Sequence, residues 1–142
     1  MADAPVWVLD TSVVVFGLLS PAGPPGRLVD ALLDRRLTLA FDDRIEIEYR
    51  EVLARPRLGI PAIRREAFLA ILQFQVHVTA RPWPFRAPPD PDDAAFLEVA
   101  LQTSERTVVT GNARHFPSHC RGPVIVLSPR AALERLVGLD LT

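Results

Sequence analysis

Val6-Trp7-Val8-Leu9-Asp10-Thr11-Ser12 is the stretch on which the fold turns. Its apolar residues run without a polar break, the pattern of a strand buried on both faces, as a parallel sheet requires. The apolar run resumes at Val13 to Phe16, and the whole reads as such a strand with Asp10 at or just past its C-terminal end. A carboxylate is almost never buried unless something pairs it. Two later strings, Glu48-Tyr49-Arg50-Glu51-Val52-Leu53 and Asp90-Pro91-Asp92-Asp93-Ala94-Ala95-Phe96-Leu97, also set acids against apolar residues. A shared divalent cation is the simplest common partner.

Outward from the first strand, elements alternate. Gly23-Pro24-Pro25-Gly26 supplies a turn and a helix start, and Leu28, Val29, Leu32 and Leu33 repeat at helical spacing up to Arg36. Leu37 to Phe41 reads as a strand, then Asp43 to Ala54 as a helix with Asp42 or Asp43 as N-cap and Pro56 as terminator. Pro61 opens another helix, Val76 to Thr79 makes a brief strand, and the proline-dense segment 81–89 is an extended loop. Asp90 or Asp92 caps a helix to about Thr103. Thr107 to Thr110 and Val124 to Leu127 are strands, and Ser128-Pro129 opens a last helix ending near Gly138. The alternation predicts a three-layer α/β/α sandwich with a mainly parallel sheet, residues 1–142 forming a single domain. In such sheets ligands bind beyond the carboxyl ends of the strands, where Asp10 and Thr110-Gly111-Asn112 fall.

Composition narrows the function classes. No apolar run approaches the roughly 18 residues of a membrane span, and the start lacks the basic and apolar regions of a signal peptide, so a cytoplasmic protein is expected. Cys120 is the only cysteine, which excludes an internal disulfide and a thiolate-clustered zinc site. The net charge of −1 gives no overall field for a polyanion, so any nucleic-acid contact must be local. All basic residues other than histidine are arginine, a type that suits bidentate phosphate recognition and also fits an Ala- and Pro-rich compositional bias.

Asp93 is the sharpest single residue. On a helix, Leu97, Ala100 and Leu101 lie within about 80° of it on one side and Phe96 within about 60° on the other, so it occupies the centre of the apolar face in the first turn. Asp90 and Asp92 read more simply as caps. On the preceding acidic helix, Ile45, Tyr49, Val52 and Leu53 form the apolar face; Glu46 and Glu48 border it equally and Glu51 points outward. Periodicity leaves Glu46 and Glu48 tied. Asp10 alone fits a turn or cap residue. With Thr110 and Asn112 as neutral donors the set is rich in oxygen, the kind Mg²⁺ or Mn²⁺ prefers. His77 lies on a short strand, and His115 and His119 share a loop with Cys120 that lacks the second ligand pair a zinc site needs.

Taken in order, Leu9-Asp10-Thr11-Ser12-Val13, Glu48-Tyr49 with Glu51-Val52-Leu53, Asp90-Pro91-Asp92-Asp93 with Phe96-Leu97, and Val109-Thr110-Gly111-Asn112 with His115-Phe116 resemble the PIN-domain nucleases, nearest the toxin branch related to VapC. The resemblance covers nearly the whole chain. It implies an acidic pocket for Mg²⁺ or Mn²⁺ and cleavage of RNA. It assigns the first-strand aspartate to Asp10, the helix glutamate to Glu48 rather than Glu46, and the later aspartate to Asp93. Asn112 stands where many PIN domains carry a fourth acid. Thr11, Ser12 and Thr110 are then pocket residues, with Asp90 and Asp92 beside them. It also suggests a homodimer and a small antitoxin whose C-terminal segment enters the pocket.

The expected chemistry is metal-assisted hydrolysis of a phosphodiester, with Asp10, Glu48 and Asp93 as ligands and Asn112 as a hydrogen-bonding member of the shell. Arg27, Arg50, Arg81, Arg86 and Arg114 are the expected phosphate contacts, and Trp83 either stacks a base or anchors its loop. A phosphatase of haloacid-dehalogenase type would need a second aspartate where Ser12 stands and a downstream lysine, which the chain lacks. A PIN-like binding module without useful catalysis is the other alternative, and Asn112 is the residue that favours it.

Overall fold

A computed structural model of the chain describes residues 3–140. Met1, Ala2, Leu141 and Thr142, the ends of the span read as one domain and the start of the segment read against a signal peptide, lie outside the described residues. The elements are β1 (Val6–Leu9), α1 (Thr11–Leu19), α2 (Pro24–Leu33), β2 (Thr38–Phe41), α3 (Asp43–Leu53), α4 (Ala62–Ile71), β3 (Val76–His77), α5 (Ala94–Leu101), β4 (Thr107–Val109), β5 (Ile125–Leu127) and α6 (Pro129–Asp140), with short 3₁₀ turns between several of them. The strands form one sheet in the order β3-β2-β1-β4-β5, every pair parallel. This is the α/β/α sandwich that the alternation predicts.

The order places the site. From β1 the chain winds outward through β2 and β3 on one side, then returns to pair β4 against the other side of β1. Adjacent crossovers that leave in opposite directions open a crevice at the carboxyl ends of the two central strands. The register Val8↔Val108 and Leu9↔Val109 brings those ends level, so Asp10 and Thr110 emerge side by side. The Asp10 N–H donates to the Val109 carbonyl at 2.9 Å, closing the ladder.

The apolar run Val13–Phe16 does not continue the strand; it lies within α1. With its neighbours β4 ending at Val109 and β2 at Phe41, both level with Leu9, a longer β1 would have no partner for its backbone. The chain turns instead, and Val13 N–H donates to Asp10 O at 2.9 Å in the first helical turn. Three successive valines disfavour a helix only by tenths of a kcal/mol each, roughly, and burial of Val13, Val14, Val15 and Leu18 outweighs that. A helix that is apolar almost all round gives no periodic signal, which is why the sequence pattern misleads there. Gly17 permits the close packing of α1 on α2: a Cβ there would meet Val29 Cγ2 at 2.6 Å and the Pro25 carbonyl oxygen at 2.8 Å.

The remaining elements fall within a few residues of the expected bounds. α2 stops at Leu33 rather than Arg36 because Arg35 adopts a left-handed φ of 63°, turning the chain toward β2. α5 lies against β1, β2 and β4, with α3 packed on it as well. That double coverage explains why every residue from Ala95 to Ala100 is buried, Glu98 included.

Candidate active site

Asp10 follows the carboxyl end of β1 and is only 4% exposed. It stands at the N-cap position of α1, yet its side chain accepts no N–H from that helix. Its Oδ2 instead accepts the Thr110 hydroxyl at 2.7 Å, with the Ser12 hydroxyl 3.5 Å from the same oxygen. The turn-or-cap explanation of Asp10 therefore does not account for where its carboxylate points.

α3 brings the second acid. Asp42 caps it, accepting the Ile45 N–H at 3.1 Å, and the buried Tyr49 hydroxyl donates to the Leu9 carbonyl at 2.5 Å. That bond ties the middle of α3 to the end of β1 and carries Glu48 onto Thr11, whose hydroxyl donates to it. Burial, followed by the charges of Asp10, Glu48 and Asp42, pushes the Tyr49 phenol well above its usual range, so it remains a donor. Glu46 leaves along the other border, paired with Arg50 at 2.9 Å. The tie that periodicity leaves open thus becomes a geometric difference: of the two glutamates, only Glu48 is bonded to a residue next to Asp10.

Asp90, Asp92 and Asp93 separate in the same way. Asp90 is the cap, accepting the Asp92 N–H at 3.0 Å, and Asp92 is exposed. Asp93 closes the 3₁₀ turn 91–93 ahead of α5 with its side chain 14% exposed. Burial raises its carboxyl to a pKa of about 6, reinforced by the charges of Asp10, Asp90 and Glu48 and opposed by His115.

His115 is the residue that sequence reasoning missed. Its Nδ1 lies 3.6 Å from Asp10 Oδ2 and 3.9 Å from Asp93 Oδ2, and this buried nitrogen has no hydrogen-bond partner. Discounting it for want of a second zinc pair overlooked a local signal, the three-residue spacing from Asn112. A 3₁₀ turn over 113–115 stacks positions three apart, and Phe116, fully buried and edge-on to Phe96 at 6.4 Å, anchors the loop. Asn112 itself touches no carboxylate in the described contacts. Its Oδ1 accepts the Arg114 N–H at 3.1 Å, its Nδ2 lies 3.2 Å from His115 Nε2, and its backbone N–H donates to the Thr110 hydroxyl at 3.1 Å.

Apart from His115 Nδ1, the groups facing the crevice are carboxylate and hydroxyl oxygens, the chemistry of a hard divalent cation. Among the described residues no three acidic, histidine or cysteine side chains are already gathered at metal-binding distance. Uncompensated carboxylates repel one another, and the Asp93 pKa, raised first by burial, is raised further by the charge of Asp10. The residue types fit such an ion, which Asp10, Glu48 and Asp93 would hold.

Beside the acids runs a groove of about 380 Å³ whose lining includes Glu48, Glu51, Asp92, Ile47, Phe96 and Arg44. Arg44, a second residue not singled out in the sequence, stands one helical turn before Glu48; it is bonded to Asp42 and Glu98 at 2.7 Å each. Of the expected phosphate contacts, Arg114 lies in the His115 loop, whereas Arg50 is held by Glu46 on a different wall, near Leu69 and His77. Arg27 is exposed on α2, and Arg81 and Arg86 are exposed on the proline-dense loop. Trp83 is half-buried against the core, its ring N–H donating to the Arg86 carbonyl at 3.1 Å and its own backbone N–H to Glu98 at 2.6 Å. It behaves as a loop anchor.

A family model described as PIN domain matches residues 6–114, from the start of β1 to one residue before His115. No curated protein and no solved structure gave a match.

Proposed function

The chain belongs to the PIN-domain family, and from that premise we propose that it is a Mg²⁺- or Mn²⁺-dependent endoribonuclease, the toxin of a VapC-like toxin–antitoxin pair. PIN domains are typically nucleases that use divalent cations. What carries the proposal for this chain is that Asp10, Glu48 and Asp93, each on a different element, lie near enough to one another beside the carboxyl end of β1 for the charges of Asp10 and Glu48 to act on Asp93.

Asp10, Glu48 and Asp93 would hold the cation, which when bound acidifies a water and offsets charge developing on the scissile phosphate. Around it the chain's own groups divide the work. Thr110 orients the Asp10 carboxylate, Thr11 orients Glu48, and Tyr49 fixes the helix that carries Glu48. Asp93 must give up its proton before it ligates, and its raised pKa makes that proton easy to exchange near neutral pH. Arg114 at the rim supplies a fork for a backbone phosphate.

The partner is a small antitoxin whose C-terminal segment enters the acidic pocket. The groove beside Glu48 suits one, since it sets Ile47 and Phe96 against Glu51 and Asp92 and so offers an apolar floor with acids for a basic side chain. The toxin acts as a homodimer in the cytoplasm. No helix among the described residues is long and apolar enough to cross a membrane.

Purified protein incubated with RNA and Mg²⁺ or Mn²⁺ is expected to cleave internally, and Asp10→Ala or Asp93→Ala to lower the rate by at least about a hundredfold. A variant that keeps full activity removes its residue from the mechanism. Absence of cleavage together with absence of Mn²⁺ binding in a calorimetric titration favours the binding-module alternative.

A further inference from the structure

We propose that Asn112 locks His115 in the Nδ1–H tautomer and thereby keeps the imidazole out of the cation's coordination shell, leaving a ligand set made of oxygen alone. The inference builds on the nuclease reading above and assigns Asn112 a positioning role in place of the lost fourth acid.

The orientation of the Asn112 amide is fixed first. The Arg114 backbone N–H can only donate, so the atom it meets at 3.1 Å is the amide oxygen, and the atom facing His115 is the NH₂ group. That group can only donate in turn. At 3.2 Å it donates to His115 Nε2, which must carry its lone pair there. In a neutral imidazole the proton then resides on Nδ1.

Nδ1 is the nitrogen that faces the acids, 3.6 Å from Asp10 Oδ2 and 3.9 Å from Asp93 Oδ2, buried and otherwise without a partner. Had it a lone pair, it would be a natural nitrogen ligand for an ion held by those two carboxylates. Nitrogen ligands favour Mn²⁺ and Zn²⁺ over Mg²⁺. Protonated, it is instead a donor directed at the carboxylate edge, and the shell stays hard. An aspartate at 112 would reverse the polarity: with one carboxylate oxygen still on the Arg114 N–H, the other would face Nε2 as an acceptor, draw the proton there and leave the lone pair on Nδ1. The residue at 112 therefore sets metal preference through the tautomer of its neighbour, without touching the metal.

The test begins without metal. A two-bond ¹H–¹⁵N correlation spectrum of labelled protein at about pH 8, above the ordinary imidazole range, is expected to show His115 as the Nδ1–H tautomer in the wild type, as Nε2–H in Asn112→Asp, and as a mixture in Asn112→Ala. Calorimetric titrations with Mn²⁺ and Mg²⁺ follow. His115→Ala is expected to leave the Mn²⁺/Mg²⁺ affinity ratio within about threefold of wild type. Asn112→Asp is expected to raise that ratio roughly tenfold, on the scale of other outer-shell changes, and the gain is expected to vanish in the Asn112→Asp/His115→Ala double variant. Using the ratio cancels the added charge, which strengthens binding of both ions. An Nε2–H tautomer in the wild type overturns the proposal, as does a His115→Ala variant that loses Mn²⁺ affinity tenfold more than Mg²⁺ affinity. Failure of the wild type to bind either ion overturns the nuclease reading instead, while the spectrum still decides the tautomer.

Discussion

Asp93 shows how a single side chain trades stability for chemistry. Its carboxyl titrates at about 6 rather than the ordinary 3.8, chiefly through burial and then through Asp10. A raised pKa means the native state holds the proton more tightly than the unfolded chain does. Between about pH 4 and pH 6 the native state keeps a proton the unfolded chain has lost, so this group's contribution to stability falls as pH rises through that window. Asp93→Asn should remove the effect: we expect thermal melts at neutral pH to rise by roughly 3 °C, equivalent to about 1 kcal/mol after allowance for partial solvent screening. The same variant should lose nuclease activity; a lower Tm would mean that the carboxylate is stabilised by contacts the neutral amide cannot reproduce. Cation binding has the opposite slope. Below about pH 6 it must displace a proton from Asp93, so Mg²⁺ affinity measured by titration is expected to drop up to tenfold per pH unit, and a pH-independent affinity would take Asp93 out of the ligand set.

Between elements, one fastening is Glu98 on α5. Its carboxylate accepts Arg44 of α3 at 2.7 Å and the backbone N–H of Trp83 at 2.6 Å, joining a helix, the proline-dense loop and the groove wall. Proline supplies no N–H donors and the loop forms no regular structure, so few other bonds hold this segment. Glu98→Ala leaves the Trp83 N–H without its acceptor and should cost about 2 kcal/mol, or roughly 6 °C in Tm. Trypsin should then cut faster after the exposed Arg86, the Arg81–Pro82 bond being resistant; an unchanged digestion rate would show that the edge-to-face Trp83 and Phe85 rings hold the loop by themselves.

At the scale of the whole molecule, binding and folding are linked. A cation that binds only the folded protein stabilises it by mass action, about 2.7 kcal/mol at a hundredfold excess over Kd. Mn²⁺ at that excess should therefore raise Tm by roughly 8 °C in the wild type and leave Asp10→Asn unmoved; equal shifts in both proteins would place the ion elsewhere. On the nuclease proposal, RNA affinity should fall with salt even though the net charge is only −1, because Arg114 at the rim would displace counterions locally.

Much of this was legible in the residues. The unbroken apolar run before Asp10, the caps at Asp42 and Ser128 and the alternation of strand and helix are local patterns, and they determine a parallel α/β sandwich because each rests on neighbours within a turn or two of chain. Helical geometry likewise put Asp93 on its apolar face. Where the local pattern carried no period, as in the almost wholly apolar α1, the sequence read as a continuing strand, and the end of the neighbouring strands decided for a helix. Glu48 and Glu46 are equivalent on the helix; a hydrogen bond from Thr11, distant in the chain, separates them. The company of Asp10, Thr110 and His115 depends on strand order, on the level ends of β1 and β4, and on a loop anchored by Phe116. The sequence determined which groups this protein has and on which elements they ride. Only the tertiary structure decided which of them meet, because the contacts that bring them together span up to a hundred residues and are fixed by packing rather than by any local preference.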